Sequence, residues 1–457
     1  MTNIVRKQSE IRRYRLPVIL TQNIYNVLIA GISSIIRLFP VLMFAVLLAS
    51  CATLTTSPFN PRSINEVTFR DRLESKYDQD VRVTTAVPTA EEAQAIFGKN
   101  LAGKDIQPIW VKVENHSDKT YYLVTIAVDP NYFSPIEVSH SVHGGHSETV
   151  QNDIEYYFRS MTFRNPILPN TAVSGFIFTN LDEGEKVVQV DLIGDQEVKF
   201  FTFFAQIPGM RVDYRNVNFD SIYPEEDIVE LKIVELKEAL ENLPCCTTDK
   251  EGKKFGDPLN LVIVGDFYNV ASAFVRRGWV PAEETYSSAV WKTIKSYFFG
   301  SRYRYSPVSS LYSFGRHQDL ARQKPRRNIH ERNHLRLWYT PMRYEGKPVF
   351  IGQISRDIGV RFTSEAWPPV THKIDPDIDE ARHSVIEDLL FSYTVSYVGW
   401  VKGVGRATPS KPRKNLTGDP YFTDGFRAVI FLDPGPTSLV QIRALNWERP
   451  GTFNFGD

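Results

Sequence analysis

The chain has 457 residues, with 53 Lys and Arg balanced by 53 Asp and Glu, so it is formally neutral. Neutrality excludes a whole-protein nucleic-acid binder, which would carry a basic footprint. The length suits two or three domains, and three cysteines are too few for a disulfide-built fold.

The first 50 residues read as a signal segment. Leu38 to Ala49 is an apolar run with Arg37 on its N-terminal side, and it closes on Leu48-Ala49-Ser50-Cys51. A short greasy segment, a basic flank and small residues before a cleavage point mark an export signal. The run is short for a bilayer span, which needs about 20 apolar residues. An upstream apolar stretch, Leu16 to Ile36, is interrupted by Thr21, Gln22, Asn23 and Asn26, and an uncleaved anchor is the competing reading. Leu-Ala-Ser-Cys resembles the lipobox of bacterial lipoproteins. That resemblance implies cleavage before Cys51, a lipid on its sulfur (diacylglycerol, with palmitate as the acyl group expected) and, with Ala52 following, an outer-membrane destination in a bacterial cell envelope. Without the first 50 residues, 47 basic and 52 acidic side chains remain, a net charge of −5. Residues 51–66 are polar and Pro-containing, as a lipid tether would be.

Residues 67–215 read as an antiparallel β-sandwich. Ala90 to Phe97 is a short helix. Ile109 to Asn115, Tyr121 to Val128, Val173 to Thr179, Lys186 to Ile193 and Val198 to Phe204 are strand runs bounded by Asn, Asp or Gly. A Pro-, Gly- and His-rich connection lies between Asp129 and Gln151. Its His140, His143 and His146 suit either an exposed loop or a transition metal. Residues 216–256 read as a helical linker, with Ile228 to Leu243 amphipathic. The adjacent Cys245 and Cys246 fit a pair bonded to each other, a bond to a partner chain, or two buried thiols.

Residues 257–457 read as an α+β domain with a mixed sheet. Strands are expected at Leu261 to Gly265, Tyr303 to Tyr312, Leu335 to Tyr339, Pro348 to Ile354, Val395 to Val401 and Arg427 to Leu432. Helices are expected at Val270 to Arg277, Ser287 to Phe299 and Asp379 to Tyr393. The fold class expected for the whole chain is therefore mixed, a β-sandwich followed by this α+β domain.

Five phrases stand in order here: Gly315-Arg316-His317-Gln318-Asp319, Gln323-Lys324-Pro325-Arg326, His334-Leu335-Arg336-Leu337-Trp338, Ser355-Arg356-Asp357 and His372-Lys373-Ile374-Asp375-Pro376-Asp377-Ile378-Asp379. Over residues 257–400 the chain resembles the LssY C-terminal domain family. The resemblance implies an envelope protein whose activity is unassigned. Members of the family stand in places behind membrane phosphatase domains. The motifs of such a phosphatase do not line up in this chain, so its chemistry does not transfer.

Three constellations carry chemistry. His330-Glu331-Arg332-Asn333-His334 has the spacing of a zinc-binding helix, but loop residues precede it and strand-like alternation follows it. His372, Asp375 and Asp377 have a spacing that suits a divalent cation and are the candidate catalytic or metal residues. Their run lacks the glycine and glutamate of an EF-hand. Asp377 with Glu380 also fits a helix cap. Residues 316–336 hold seven basic residues against Asp319 and Glu331. Arginine matches phosphate with a planar pair of donors, so Arg316, Arg326, Arg336 and Arg356 are the candidate ligand-binding residues.

The expected function is a membrane-anchored envelope lipoprotein that binds or scaffolds, engaging an anionic lipid, a glycan or a protein partner, with no nucleic acid and no required cofactor. The alternative is a metal-dependent hydrolase of an envelope phosphate ester, which requires His372 and the acids to converge on the arginines.

Overall fold

A computed structural model describes residues 59–130, 132–182, 184–207, 219–282, 310–325, 331–362 and 370–451. The signal segment, Cys51, most of the tether, the helix expected at Ser287 to Phe299, Arg326 and His330 lie outside the described residues. The described residues of 59–143 and 149–451 form one compact unit.

In chain order the first part contains β1 (Glu74–Asp78), β2 (Val81–Ala86), α1 (Ala90–Phe97), β3 (Ile106–Asn115), β4 (Tyr122–Leu123), α2 (Thr125–Val128), α3 (Pro135–Ser141), α4 (Glu148–Met161), β5 (Thr171–Asn180), β6 (Gly184–Gly194) and β7 (Glu197–Ile207). Two antiparallel sheets, β1-β2-β3-β5 and β4-β6-β7, face each other. Their shared core joins Val83, Ile109, Val111 and Ile177 to Val188, Val190, Phe201 and Phe203. This is the sandwich expected from the alternating runs.

Strand β3 is buried on both faces because a second core lies on its other side. There Trp110, Phe176 and Phe178 meet Ile96 and Phe97 of α1, Val138 of α3, and Ile154 and Phe158 of α4. Period-2 alternation thus divides one nearly continuous apolar strand between two cores. At Gly175 a Cβ would lie 2.3 Å from the backbone nitrogen of Phe163, so the sheet and the chain after α4 approach as only glycine allows.

Two local expectations are corrected. Tyr121 to Val128 is not one strand: pairing stops at Leu123, and the chain enters the short helix α2. The connection from Asp129 to Gln151 holds α3 and the start of α4. Helix α3 opens on a capping box in which Ser134 and Glu137 each accept the other's backbone N–H, with Pro135 in the first turn. The rings of His140 and His143 lie 5.4 Å apart, and His143 Nε2 is 3.6 Å from Glu155.

The second part contains β8 (Val229–Glu230), α5 (Ile233–Glu241), β9 (Cys246–Thr248), β10 (Phe255–Pro258), β11 (Leu261–Val264), α6 (Phe267–Arg276), β12 (Val280–Pro281), β13 (Tyr312–Ser313), β14 (Arg316–His317), β15 (Leu320–Pro325), β16 (Arg332–Tyr344), β17 (Lys347–Phe362), β18 (Val370–Ile374), α7 (Ile378–Leu390), β19 (Val395–Val401), β20 (Arg413–Lys414), β21 (Pro420–Tyr421), β22 (Arg427–Leu432) and β23 (Arg443–Ala444). The large sheet runs β12-β15-β16-β17-β11-β22-β19-β23, with β18 beside β17 and β8 beside β16. It is mixed: β11 and β22 pair in parallel, while β15-β16-β17-β11 are antiparallel.

One face of this sheet packs Leu335, Leu337, Phe350 and Ile354 on Phe274 of α6 and Val385 and Leu389 of α7. The other packs Val262, Trp338, Val349 and Ile351 on Leu236 and Leu240 of α5. Helix α5 thus sits in the core of this part, although its sequence reads as a linker. Cys245 and Cys246, where the chain after it enters β9, are joined as a disulfide, the first of the three options their adjacency leaves open.

Helix α6 also touches the sandwich. Arg276 forms a two-pronged ion pair with Asp191 of β6 and lies 3.8 Å over the ring of Phe200. Gln189 donates to the Ser272 carbonyl at 2.8 Å. Among the described residues no helix is long and apolar enough to cross a membrane.

Candidate functional site

The densest buried polar group lies on β16 and its neighbours. Successive side chains of a strand point to opposite faces. Leu335, Leu337 and Tyr339 therefore enter the core under α6 and α7, and Arg332, His334 and Arg336 share the opposite face with Trp338. Strand β17 pairs His334 with Ser355 and Arg336 with Gln353, which brings Gln353, Ser355 and Asp357 to the same side. Strand β15 places Gln323 opposite His334. All seven of these side chains are more than nine-tenths buried.

Asp357 is the hub. It accepts from His334 Nε2 at 2.6 Å, with Arg332 Nε at 3.6 Å and His372 Nδ1 at 3.4 Å. Arg332 donates to Gln323 at 2.6 Å, and its other terminal nitrogen lies 3.4 Å from His372 Nε2. His372 reaches the hub across a bulge. The register between β17 and β18 shifts between Asp357 and Gly359, so Ile358 is an extra residue and His372 falls opposite Val360. A bulge re-aims a side chain in this way. His372 is the partly exposed member.

The electrostatics follow from burial and pairing. Burial by itself would raise Asp357, but the field and hydrogen bond of His334, with His372 and Arg332, hold it at about 2. Burial pushes His334 down to about 4 against the pull of Asp357. Burial also lowers Arg332 from its ordinary value, and it raises the acid of Asp257, which lies in the field of Arg336. At neutral pH the pair is a carboxylate and a neutral imidazole, so the proton between them sits on His334 Nε2 and its Nδ1 is a lone pair. Arg336 donates to Gln353 Oε1 at 2.7 Å, which turns the Gln353 amide nitrogen away from it. Among the described residues, His334 Nδ1 and Gln353 Nε2 have no hydrogen-bond partner. Chemically, the strip offers two guanidinium groups, one amide donor and one oriented base.

The residues singled out from the sequence are scattered. Arg336 and His372 belong to the strip. Arg316 pairs with Asp319 through two 3.0 Å bonds and donates to the Tyr223 hydroxyl at 3.0 Å, and its bond to the Tyr339 carbonyl ties β14 to β16. Arg356 lies on the other face, donating to Asn333 at 3.2 Å and to the Glu380 carbonyl at 3.3 Å. Asp375 accepts the Asp377 N–H, and Asp377 accepts the Asp379 N–H as the cap of α7. Asp379 in turn accepts from Thr423 and from the backbone of Asp424, beside the buried Arg382. Among the described residues no group of three or more His, Cys, Asp or Glu side chains is arranged to hold a metal ion. The spacing from His330 to His334 fails as a zinc helix because Arg332–Tyr344 is a strand.

Arg332, His334, Gln353 and Asp357 were not among the sequence candidates for ligand binding. The usable signal was Arg-x-His-x-Arg at period 2. It places three nitrogen-rich side chains on one face once the segment is read as a strand.

Residues 238–426 match the family model described as LssY C-terminus. They form an LssY C-terminal-like domain. The match extends the resemblance read from the sequence in both directions, beginning inside α5 and ending one residue before β22. Every residue of the strip lies within the LssY C-terminal-like domain. No curated protein and no solved structure matches the chain.

Proposed function

We propose that this chain is a membrane-tethered binding protein, and that its LssY C-terminal-like domain holds an anionic group of an envelope lipid, a glycan or a protein partner on the strip formed by Arg332, His334 and Arg336. One observation carries this reading. Two arginines line the strip, and two of its polar atoms, on His334 and Gln353, are buried without hydrogen-bond partners among the described residues. A buried polar atom left unpaired costs about 1–3 kcal/mol. An anion accepting from Gln353 removes that cost at its amide nitrogen.

The experiment is calorimetric titration of the full chain with small oxyanions at low salt. Binding is expected to weaken about tenfold or more in Arg336→Gln. It is expected to stay unchanged in Arg356→Gln, which alters an arginine on the opposite face. No oxyanion binding by the unaltered chain, or equal loss in both variants, overturns the reading.

The tether rests on Leu-Ala-Ser-Cys51 and on the polar stretch after it. Cells fed labelled palmitate are expected to label this chain, and Cys51→Ser is expected to abolish the label and release the protein from the membrane fraction. Label that persists in Cys51→Ser counts against lipidation at that cysteine.

A further inference from the structure

We infer that the bond between Cys245 and Cys246 is a redox switch just past α5, opened by a dithiol that attacks the sulfur of Cys245. This goes beyond the anion-binding reading and does not rest on it.

What the bond joins decides what it can do. A disulfide stabilises a fold chiefly by closing a loop in the unfolded chain, and the effect grows with loop length. Cys245 and Cys246 are adjacent, so the loop is the shortest possible and no distant segments are tied together. The segments on either side are held by other means. Arg427 donates to the carbonyls of Leu243 and Pro244, and Cys246 pairs with Pro258 between β9 and β10. As a staple the bond is redundant. Adjacency also keeps the two Cα atoms 3.8 Å apart. That is below the usual disulfide span of about 4.4–6.8 Å, and such a departure makes a bond easier to reduce.

The two sulfurs differ in access. Cys245 is partly exposed, whereas Cys246 is 3% exposed, so an attacking thiolate meets Cys245 first. It forms a new S–S bond there. The old bond breaks, and its electron pair leaves on Cys246, which takes a proton. The second thiol of the attacker then displaces Cys245 by closing the attacker's own disulfide, and Cys245 takes the other proton. Two electrons and two protons pass from the dithiol to the chain. The freed peptide carries the Cys245 carbonyl, which accepts the Leu259 N–H at 2.9 Å. Leu259 is fully buried in one core with Leu236 and Leu240 of α5, and it stands just before β11. Opening the ring therefore loosens the carbonyl that fixes the entry to an inner strand of the large sheet.

The test is alkylation of the full chain, purified without reductant, with the labelled residues located by peptide mass. Neither Cys245 nor Cys246 is expected to label at first, and both are expected to label in dithiothreitol without denaturant. Dithiothreitol is expected to open the bond at least about tenfold faster than mercaptoethanol at equal thiol, because Cys246 expels a monothiol from the mixed disulfide before a second one arrives. On reduction, hydrogen exchange at the Leu259 amide is expected to quicken about tenfold or more, with exchange inside β16 and β17 unchanged. Cys246→Ser is expected to react with an aromatic disulfide about tenfold faster than Cys245→Ser, which keeps only the buried sulfur of the pair. Labelling before reduction, a bond that opens only in denaturant, equal rates with the two reductants, loss of the whole fold on reduction, or an unchanged Leu259 amide would each overturn the inference. Equal reaction of the two variants overturns the choice of Cys245. The measurements on the unaltered chain decide the matter even if neither variant folds.

Discussion

Arg427→Met is expected to lower the stability of the LssY C-terminal-like domain by at least about 3 kcal/mol, read as a shift in its denaturant midpoint. Arg427 opens β22 and is fully buried. Its guanidinium donates to the carbonyls of Leu259, Leu240, Leu243, Pro244 and Gly403. Three of these belong to the end of α5 and the turn after it. The last carbonyls of a helix have no partner within the helix and carry its negative dipole end, so a buried cation there serves as the C-terminal cap. Burial pulls Arg427 down to about 10, which still leaves it charged at neutral pH. Methionine fills the space and leaves the carbonyls unpaired, at about 1–3 kcal/mol each for those that find no new donor. Arg427→Lys is expected to recover only part of the loss, because one ammonium cannot reach carbonyls spread over three chain segments. At Gly403 a Cβ would lie 2.2 Å from the Arg427 guanidinium, which shows how closely the chain wraps it. A midpoint shift worth less than about 0.5 kcal/mol, the range of an ordinary surface substitution, would contradict this account.

The second large effect is acid sensitivity set by His334. Its pKa is depressed in the fold, to about 4 from an ordinary 6.5. Between those values the unfolded chain binds a proton that the folded chain refuses, so stability falls as pH falls through that window. The full interval corresponds to about 3 kcal/mol. Asp357 acts lower down. It is held at about 2 against 3.8, so its contribution is complete above 3.8 and is lost as pH falls toward 2. Urea midpoints measured from pH 7 to pH 4 are expected to drop, and His334→Gln is expected to flatten that drop. An equally steep curve in the variant would assign the sensitivity to other groups.

The two unexpected helices show where local signals were present and outweighed. Ser134-Pro135-Ile136-Glu137 contains both halves of a capping box and a favoured proline, yet the Gly and His residues around it read as a loop. In α4, Ile154 and Phe158 are four apart, but Asp153, Glu155 and Arg159 beside them dilute the stripe that marks a buried helix. Tyr121 to Val128 is the opposite case. Its β-branched run reads as a strand, yet the strand ends at Leu123 and the chain turns into α2 although β6 runs on to Gly184.

The candidate arginines divide for a similar reason. Arg316, Arg336 and Arg356 are alike in sequence. The fold gives one to Asp319, one to Gln353 and one to Asn333 and a helix carbonyl. Asp357 follows Arg356 directly in the sequence, but adjacent strand residues face opposite ways, and Asp357 belongs to His334.

By itself the sequence determined the neutral charge, the two β-rich and α+β parts, the main strands and the LssY C-terminal-like resemblance. These follow from periodicity, turn residues and short-range motifs, all of which act over a few residues along the chain. Tertiary structure alone decided which faces of β3 and β16 meet which core, that α5 is packed and capped by Arg427 from 187 residues away, and that Arg332, His334, Gln353 and Asp357 converge. Register between strands sets those neighbours. It is fixed by the collective packing of whole sheets, which no local pattern encodes.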